Sequence, residues 1–440
     1  MTNHRVSIVS YQKPLESVRK AVELSQGLDQ LPPNGKVFIK PNIGFWTKAI
    51  AFPKWGVNTT SRVVEDMVII LKELGIHDIT IGEGPVLMKP NDTATPAHAF
   101  ETLGYGVLKK RYGVEYINIF ERDFKKIDLG GGVVVQFNQD ILNSDFVINL
   151  PVLKTHGQTK VSLGIKNLKG MIDIRSRKKF HSTDPLIDLN YSIARLGYHL
   201  PPSFTLLDGI FSLEWGPSYE GRARRSNILI GSSDMLSADM VGAKVLGFDP
   251  SKIQHLVNAA QQQGRSLDLS EIKVLGEKIN SVAFRHEYEF KYNNDGSLPV
   301  AFEKMGIKGL SYPQYDLTHC TYCAWVNGIV LFTIARAWKG EPWDDIEVLT
   351  GKQMVPTPEM KKTILLGKCM YQAHKDNRDI NEVIAVKGCP PEFKSIVKAF
   401  KQAGIEIDPT ILEHADKYPG LFMKNYAEKP EFDESFFKIS

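Results

Sequence analysis

Several signatures of common nucleotide-binding and hydrolytic enzymes are absent from this chain. No GxGxxG segment follows the first predicted strand, and no GxxxxGK segment ending in Ser or Thr occurs, so neither a Rossmann dinucleotide site nor a P-loop is indicated. The GxSxG turn of α/β-hydrolases is also missing. A net charge of only +4 excludes a strong general attraction to nucleic acid or membranes. The longest apolar candidate, residues 324–337, is interrupted by Asn327, Gly328 and Arg336, and is shorter than the ~20 residues that cross a bilayer.

Cysteine is absent from the first 319 residues, and all four cysteines lie in the last third of the chain, at Cys320, Cys323, Cys369 and Cys389. Four thiolates are a complete ligand set for one zinc ion or one iron–sulfur cluster. Buried free thiols and two disulfides are the alternatives. The polar N-terminal segment is not a secretory signal, which predicts a cytoplasmic protein and disfavours disulfides. We therefore expect these four cysteines to bind a metal.

The spacing of the cysteines favours a 4Fe–4S cluster over zinc. Structural zinc sites usually use two CxxC pairs, whereas this chain has one pair, at Cys320 and Cys323, and two single thiols that each follow a predicted strand. Zinc remains the alternative cofactor.

Short apolar segments alternate with amphipathic ones. Residues 36–39 and 146–150 are typical of buried strands, and residues 60–74 have the apolar spacing of one helix face. This alternation predicts an α/β protein with mostly parallel sheets and helices on both faces.

A smaller C-terminal α/β domain, carrying the four-cysteine site, is expected after an irregular stretch near residue 291. We predict a core over residues 1–290, with two lobes that divide near residues 150–200, and a metal-binding domain over residues 291–440. Residues 346–349 predict a strand of the second domain, and residues 393–403 a helix.

Ligands of open α/β sheets bind outside the carboxyl ends of the strands, so polar residues that follow predicted strands are candidates for a site. Residues 154–169 follow such a strand and contain lysines and a histidine but no acid. This composition suits an anionic ligand such as a phosphate or a carboxylate, and a solvated basic face is the alternative. The candidate substrate-binding residues are Lys40, Asn42, Lys154, Lys160, Lys166, Asn167 and Lys169.

Three residues are candidates for catalysis. His156 and His181 are the best proton-transfer candidates because histidine titrates nearest to neutral pH, although either could be a metal ligand or a structural polar residue. Asp208 ends a predicted strand and places a carboxylate near the crevice.

An ordered set of motifs resembles a known family. The segments NLPVLKTHGQTKVSLGIKNLKGMI, HSTDPLIDLN, LLDGIFSLEWGP and SSDMLSADMVGAKVLGFDP occur in this order, after KPN and GEGP. Over roughly residues 36–256 the chain resembles the family catalogued as domain of unknown function 362. Members of that family often carry ferredoxin-like pairs of CxxCxxCxxxCP runs, which this chain lacks, so the resemblance implies neither a cluster type nor a reaction. The N-terminal layout is also distantly similar in fold to nickel-pincer lactate racemase.

These observations predict a cytoplasmic iron–sulfur oxidoreductase that binds one 4Fe–4S cluster through its four cysteines and acts on a small anionic substrate. An electron-donor protein and a second copy of the chain are expected as partners, and nucleic acid and membrane are not. Two alternatives stay open: a non-redox enzyme of the isomerase or lyase type with structural zinc, and a non-catalytic protein that binds a ligand or a cluster.

Overall fold

The computed structural model describes residues 4–439, which form a ten-stranded, a four-stranded and a two-stranded sheet. The strands are β1 (His4–Ser10), β2 (Val37–Pro41), β3 (Ile79–Glu83), β4 (Glu115–Asn118), β5 (Phe124–Asp128), β6 (Val134–Asn138), β7 (Phe146–Leu150), β8 (Val152–His156), β9 (Lys160–Ser162), β10 (Ser203–Glu214), β11 (Arg222–Ser232), β12 (Ile272–Gly276), β13 (Leu310–Ser311), β14 (Ile346–Leu349), β15 (Lys362–Leu366) and β16 (Val383–Val386).

The α-helices lie between these strands. They are α1 (Glu16–Ser25), α2 (Ser61–Glu73), α3 (Ala94–Thr102), α4 (Tyr105–Tyr112), α5 (Gln139–Leu142), α6 (Gly164–Asn167), α7 (Ile174–Lys179), α8 (Leu189–Ala194), α9 (Met235–Val245), α10 (Gln254–Gln263), α11 (Ile279–Val282), α12 (Val300–Lys304), α13 (Thr321–Ala337), α14 (Lys368–His374), α15 (Phe393–Ala403) and α16 (Pro409–Glu413). No helix within residues 4–439 is both long enough and apolar enough to cross a membrane.

The large sheet has the strand order β12-β1-β11-β10-β7-β2-β3-β4. The run from β10 to β4 is parallel throughout, while β11 is antiparallel to both of its neighbours. β8 lies parallel to β10 and carries the antiparallel β9. The predicted α/β class with a mostly parallel sheet is therefore confirmed.

Helix α2 shows why the sequence folds in this way. Its apolar residues at three- and four-residue spacing, including Val64, Met67 and Leu71, are buried against the sheet. The helix ends shortly before Gly75, whose φ of 80° is a backbone conformation that glycine adopts without steric strain.

β10 is longer than the strand that was predicted to end at Asp208. It continues through Asp208 to Glu214, with a register shift between Gly209 and Phe211 where it pairs with β11. Asp208 therefore lies inside a strand and not at its end.

The four-stranded sheet has the order β13-β14-β15-β16, and all its pairs are parallel. Ile346 and Ile364 of this sheet pack with Val330 of α13 and Phe400 of α15 in one core. Whether residues 291–440 fold as a separate domain stays a prediction.

A C-terminal segment, residues 415–439, packs into the hydrophobic core of the large sheet. Tyr426, Phe437 and Ile439 are buried there. The ring of Tyr426 lies 5.2 Å from that of Trp55, and its hydroxyl accepts a hydrogen bond from the backbone N–H of Ala223 at 2.9 Å. The segment thus completes a core that earlier residues begin.

Candidate functional site

A cavity of about 490 Å³ lies beyond the carboxyl ends of β2, β3 and β8. One side of it is basic and the other is aromatic. Of the predicted site residues, the structure brings together around it Asn42, Lys154, His156, Lys166, Asn167, Lys169 and His181.

Lys40 lies beneath this cavity. Its Nζ is 2.7 Å from Oε2 of Glu83 and 3.2 Å from Oδ1 of Asn167, and the lysine side chain is completely buried. Asn167 in turn donates to Oδ1 of Asn149 at 2.8 Å. Because Lys40 is fully engaged with the protein, it supports the floor instead of reaching a ligand.

Lys154 is also committed to protein acceptors. Its Nζ donates to Oδ1 of Asn42 and to the carbonyl of Val57, both at 2.7 Å, and to the carbonyl of Pro217 at 3.2 Å. Burial lowers the pKa of Lys154 to about 7. Lys154 therefore joins three segments that line the cavity.

Lys166 and Lys169 are the cations most available to a ligand. Within residues 4–439 the Lys166 ammonium has no hydrogen-bond acceptor, and burial lowers its pKa to about 7. Nζ of Lys169 lies 2.8 Å from Nε2 of His181, and burial places the pKa of Lys169 well below its ordinary value.

The hydrogen bonds fix the tautomers of both histidines. Nδ1 of His181 lies 2.8 Å from the carbonyl oxygen of Leu317, which can only accept, so Nδ1 carries the proton and Nε2 accepts from Lys169. Nδ1 of His156 accepts from the backbone N–H of Gln158 at 3.1 Å, so its proton is on Nε2. Burial holds the pKa of both rings well below the ordinary value. His156 is therefore a neutral donor toward the cavity.

Besides Lys40, two further predicted residues are not part of the cavity lining. Nζ of Lys160 donates to the carbonyl of Lys252 at 2.7 Å, because the turn between β8 and β9 directs this side chain away. Asp208 accepts two hydrogen bonds from Thr60, each at 2.8 Å, and one from the backbone N–H of Ile210 at 3.1 Å. The prediction that Lys160 and Asp208 lie in the crevice is therefore wrong.

Sequence reasoning missed two charged residues of the cavity. Arg177 is buried and donates to the carbonyl of Gly170 at 2.7 Å, and burial lowers its pKa to about 10. Glu220 lies in the loop between β10 and β11, and burial raises its pKa to about 7. The basic run around Arg177 was a usable signal, whereas nothing in the sequence singles out Glu220.

The four cysteines approach one another from three segments. Cys320 directly precedes α13 and Cys323 lies in its first turn. Cys369 and Cys389 follow β15 and β16, which are adjacent and parallel. The loops after these two strands are joined by a hydrogen bond from the N–H of Lys368 to the carbonyl of Gly388 at 3.0 Å.

The pKa values of the cysteine thiols reflect how close these residues are to one another. A hydrogen bond from the Cys323 thiol lowers the pKa of Cys320 to about 5, and the same bond raises the pKa of Cys323. The pKa of Cys323 also responds to Cys369 and Cys389. Nζ of Lys178 lies 3.8 Å from Sγ of Cys389, so a cation borders the thiols.

The spacing of these side chains bears on the kind of metal centre that is expected at this site. In the part of the chain from residue 4 to 439, no group of three or more His, Cys, Asp or Glu side chains is arranged to hold one metal ion. A tetrahedral zinc site, with Zn–S bonds of about 2.3 Å, would require sulfurs about 4 Å apart. A 4Fe–4S cluster gives each cysteine a different iron and accepts wider spacing.

The cysteines border the basic cavity. Cys320 lines a small pocket together with Arg177 and Tyr322, and these two residues also line the large cavity. The Cys320 thiolate raises the pKa of Lys169, although burial lowers it more. The cavity and the cysteine group are therefore neighbours.

Comparison with known proteins gives similarities of three kinds, to a family, to a curated protein and to a solved structure. Residues 37–244 match the family described as Domain of unknown function (DUF362). Over 259 residues the chain is 25% identical to the thylakoid-associated protein sll1697 of Synechocystis sp., covering 57% of this chain and 74% of that protein. The lactate racemase apoprotein from Thermoanaerobacterium thermosaccharolyticum has a similar structure, with a TM-score of 0.38, 12% identity, and coverage of 94% of this chain and 90% of that chain.

The distant similarity to lactate racemase expected from the sequence is thus found, and at this TM-score it carries no conclusion about the reaction. The matched region supplies the lysines of the cavity, whereas the four cysteines lie beyond it. The match of residues 37–244 to the DUF362 family agrees with the order of the sequence motifs.

Proposed function

We propose that this protein is an iron–sulfur oxidoreductase that acts on a small anionic substrate. Cys320, Cys323, Cys369 and Cys389 would hold one 4Fe–4S cluster, which supplies single electrons when bound. The observation that carries this proposal is the contact between the two sites: Arg177 and Tyr322 line both the cavity and the pocket of Cys320.

The residues of the cavity have distinct roles in this proposal. Lys166 binds the anionic group, because its ammonium has no acceptor among residues 4–439. His156 donates a hydrogen bond from Nε2 to a polar atom of the substrate. Lys169 holds a proton at Nζ, beside Nε2 of His181, and is the group best placed to transfer it.

Cys320 has a second role, which is to place negative charge near Lys169. Its thiolate favours the protonated form of that lysine, against the effect of burial. An electron-donor protein would reach the cysteines from outside, since Cys369 and Cys389 are exposed.

The first test is metal and acid-labile sulfide analysis of protein purified without oxygen, together with its visible spectrum. About four irons and four sulfides per chain, with a broad band near ~400 nm, are the expected result. One zinc and no colour would overturn the iron–sulfur proposal and leave acid–base chemistry at Lys169 and His181.

A further inference from the structure

The loop between β10 and β11 forms one wall of the cavity. Within residues 4–439, this wall carries an acid that has no cationic partner. Glu220 is half-buried, lines the cavity and forms no ion pair within residues 4–439. Burial raises its pKa to about 7. A carboxyl group in such a place is costly to ionise unless a cation or a donor accompanies it.

The buried polar groups around Glu220 interact mainly with one another. Hydrogen bonding with Tyr219 lowers the pKa of Glu220, against the larger effect of burial, and Trp325 lowers the pKa of Tyr219 in the same way. Oδ1 of Asn327, a residue only 6% exposed, has no hydrogen bond in the described part of the chain. Tyr219, Trp325 and Asn327 all line the cavity. An unsatisfied buried acceptor is rare in native proteins, and its place in this wall indicates a missing donor.

Aromatic rings enclose this wall. The ring centroid of Tyr219 lies 6.1 Å from that of Tyr418 and 5.5 Å from that of Phe422, and the latter two are 5.4 Å apart. The indole of Trp325 also lines the cavity. Aromatic faces around a carboxylate favour a cation, because both the ring quadrupoles and the negative charge attract it.

The acidic wall is electrostatically separate from the basic side. Burial alone lowers the pKa of Lys166, with no carboxylate offsetting it. Glu220 instead acts on the pKa of Tyr315 and Tyr418. The cavity therefore presents opposite charges at two places that do not neutralise each other.

We propose that Glu220, within the aromatic wall of Tyr219, Trp325, Tyr418 and Phe422, binds the protonated amine of a ligand whose carboxylate is held by Lys166. The ligand class is an amino acid with separated charges. This inference rests on the proposed function, because it names the substrate class of the same cavity.

The test uses a homologous series of probes, from 4-aminobutanoate to 8-aminooctanoate, each matched with the straight-chain carboxylate that lacks the amine. Affinities are measured on the full chain by calorimetry or by tryptophan fluorescence. For at least one length, the amino acid should bind about tenfold more tightly than its matched carboxylate, as one charge-assisted contact provides. Glu220→Gln should abolish this preference, and the exposed control Glu413→Gln should keep it.

Three results would overturn the amine subsite: equal affinity within every pair, binding by neither member of any pair, or a full preference in Glu220→Gln. The proposed function fails differently. If carboxylates bind with no preference for the amine, only the amine subsite is excluded. If the protein contains no iron and sulfide, the proposed oxidoreductase function is excluded, and the probe measurements remain valid. Glu220→Gln should keep the iron content of the wild type.

Discussion

Nζ of Lys169 lies 2.8 Å from Nε2 of His181, whose opposite nitrogen lies 2.8 Å from the carbonyl oxygen of Leu317. This arrangement places an amine with a strongly lowered pKa against the lone pair of a neutral imidazole. A lysine amine so placed loses its proton easily and becomes a nucleophile or a base.

We expect the cavity lysines to be the most reactive amines of the protein. At pH 7 a lysine with a pKa of about 7, such as Lys166, is about half neutral, whereas an ordinary lysine is neutral in roughly one molecule in three thousand. Trace acetylation followed by peptide mass spectrometry should therefore modify Lys166 and Lys169 first. The control is Lys361, whose pKa is raised by Asp344 and which should react slowly despite its exposure. Labelling that follows exposure alone would contradict this expectation.

Replacing one cysteine should release the metal. Cys369→Ser is expected to lose most of the iron and to unfold the four-stranded sheet at a lower temperature, because a bound cluster stabilises the folded state that holds it. Gln372→Ser, an exposed change on the same short helix, is the matched control and should keep its iron. Full metal content in Cys369→Ser would show that the four-cysteine assignment is wrong.

Lys166→Met should stabilise the protein while it weakens the binding of carboxylates. The pKa of Lys166 is about 7 in the folded protein and 10.5 ordinarily, so between these values the unfolded chain binds more protons and wild-type stability rises with pH. The gain from Lys166→Met, on the order of 1–3 kcal/mol, is therefore full below pH 7 and shrinks toward pH 10.5. Urea unfolding at several pH values measures it, with Lys160→Met as the control outside the cavity. A gain that does not change with pH would argue against a buried charge.

The ion pair of Lys40 and Glu83 should be important for stability. Both side chains are almost inaccessible, at 0% and 2%, and their charged atoms are 2.7 Å apart. Lys40→Met leaves a buried carboxylate unpaired, which costs about 3–5 kcal/mol. The exposed pair of Lys109 and Glu115 offers a control, since Lys109→Met should cost about 1 kcal/mol or less in the same urea titration. Similar losses in the two variants would contradict the role assigned to Lys40.

Strands and helices whose apolar residues follow one regular spacing could be predicted from the sequence. The strand over residues 346–349 and the helix over residues 393–403 have the predicted bounds, because their apolar spacing is regular and Gly404 ends the helix. The sequence also predicted a basic segment after β8, and the structure places Lys154, Lys166 and Lys169 of this segment in the cavity lining.

Residues whose roles depend on pairing could not be predicted. Lys160 and Lys166 look alike in sequence, and only the antiparallel pairing of β8 with β9 directs Lys160 away from the cavity. Asp208 looks like the end of a strand, but β10 continues across a register shift to Glu214, so Asp208 lies inside the sheet. Glu220 becomes part of a site only when Tyr418, about 200 residues later, returns beside it.

The packing of residues 415–439 into the hydrophobic core of the large sheet sets an order of completion during synthesis. Trp55 leaves the ribosome long before Tyr426, the residue against whose ring it packs. The aromatic surface around Trp55 therefore stays uncovered until the C-terminal segment has been synthesised. Tyr418 and Phe422 arrive with the same late segment and finish the wall around Glu220. A nascent chain interrupted before this segment therefore has the cysteines and the lysines but lacks two of the aromatic rings around Glu220.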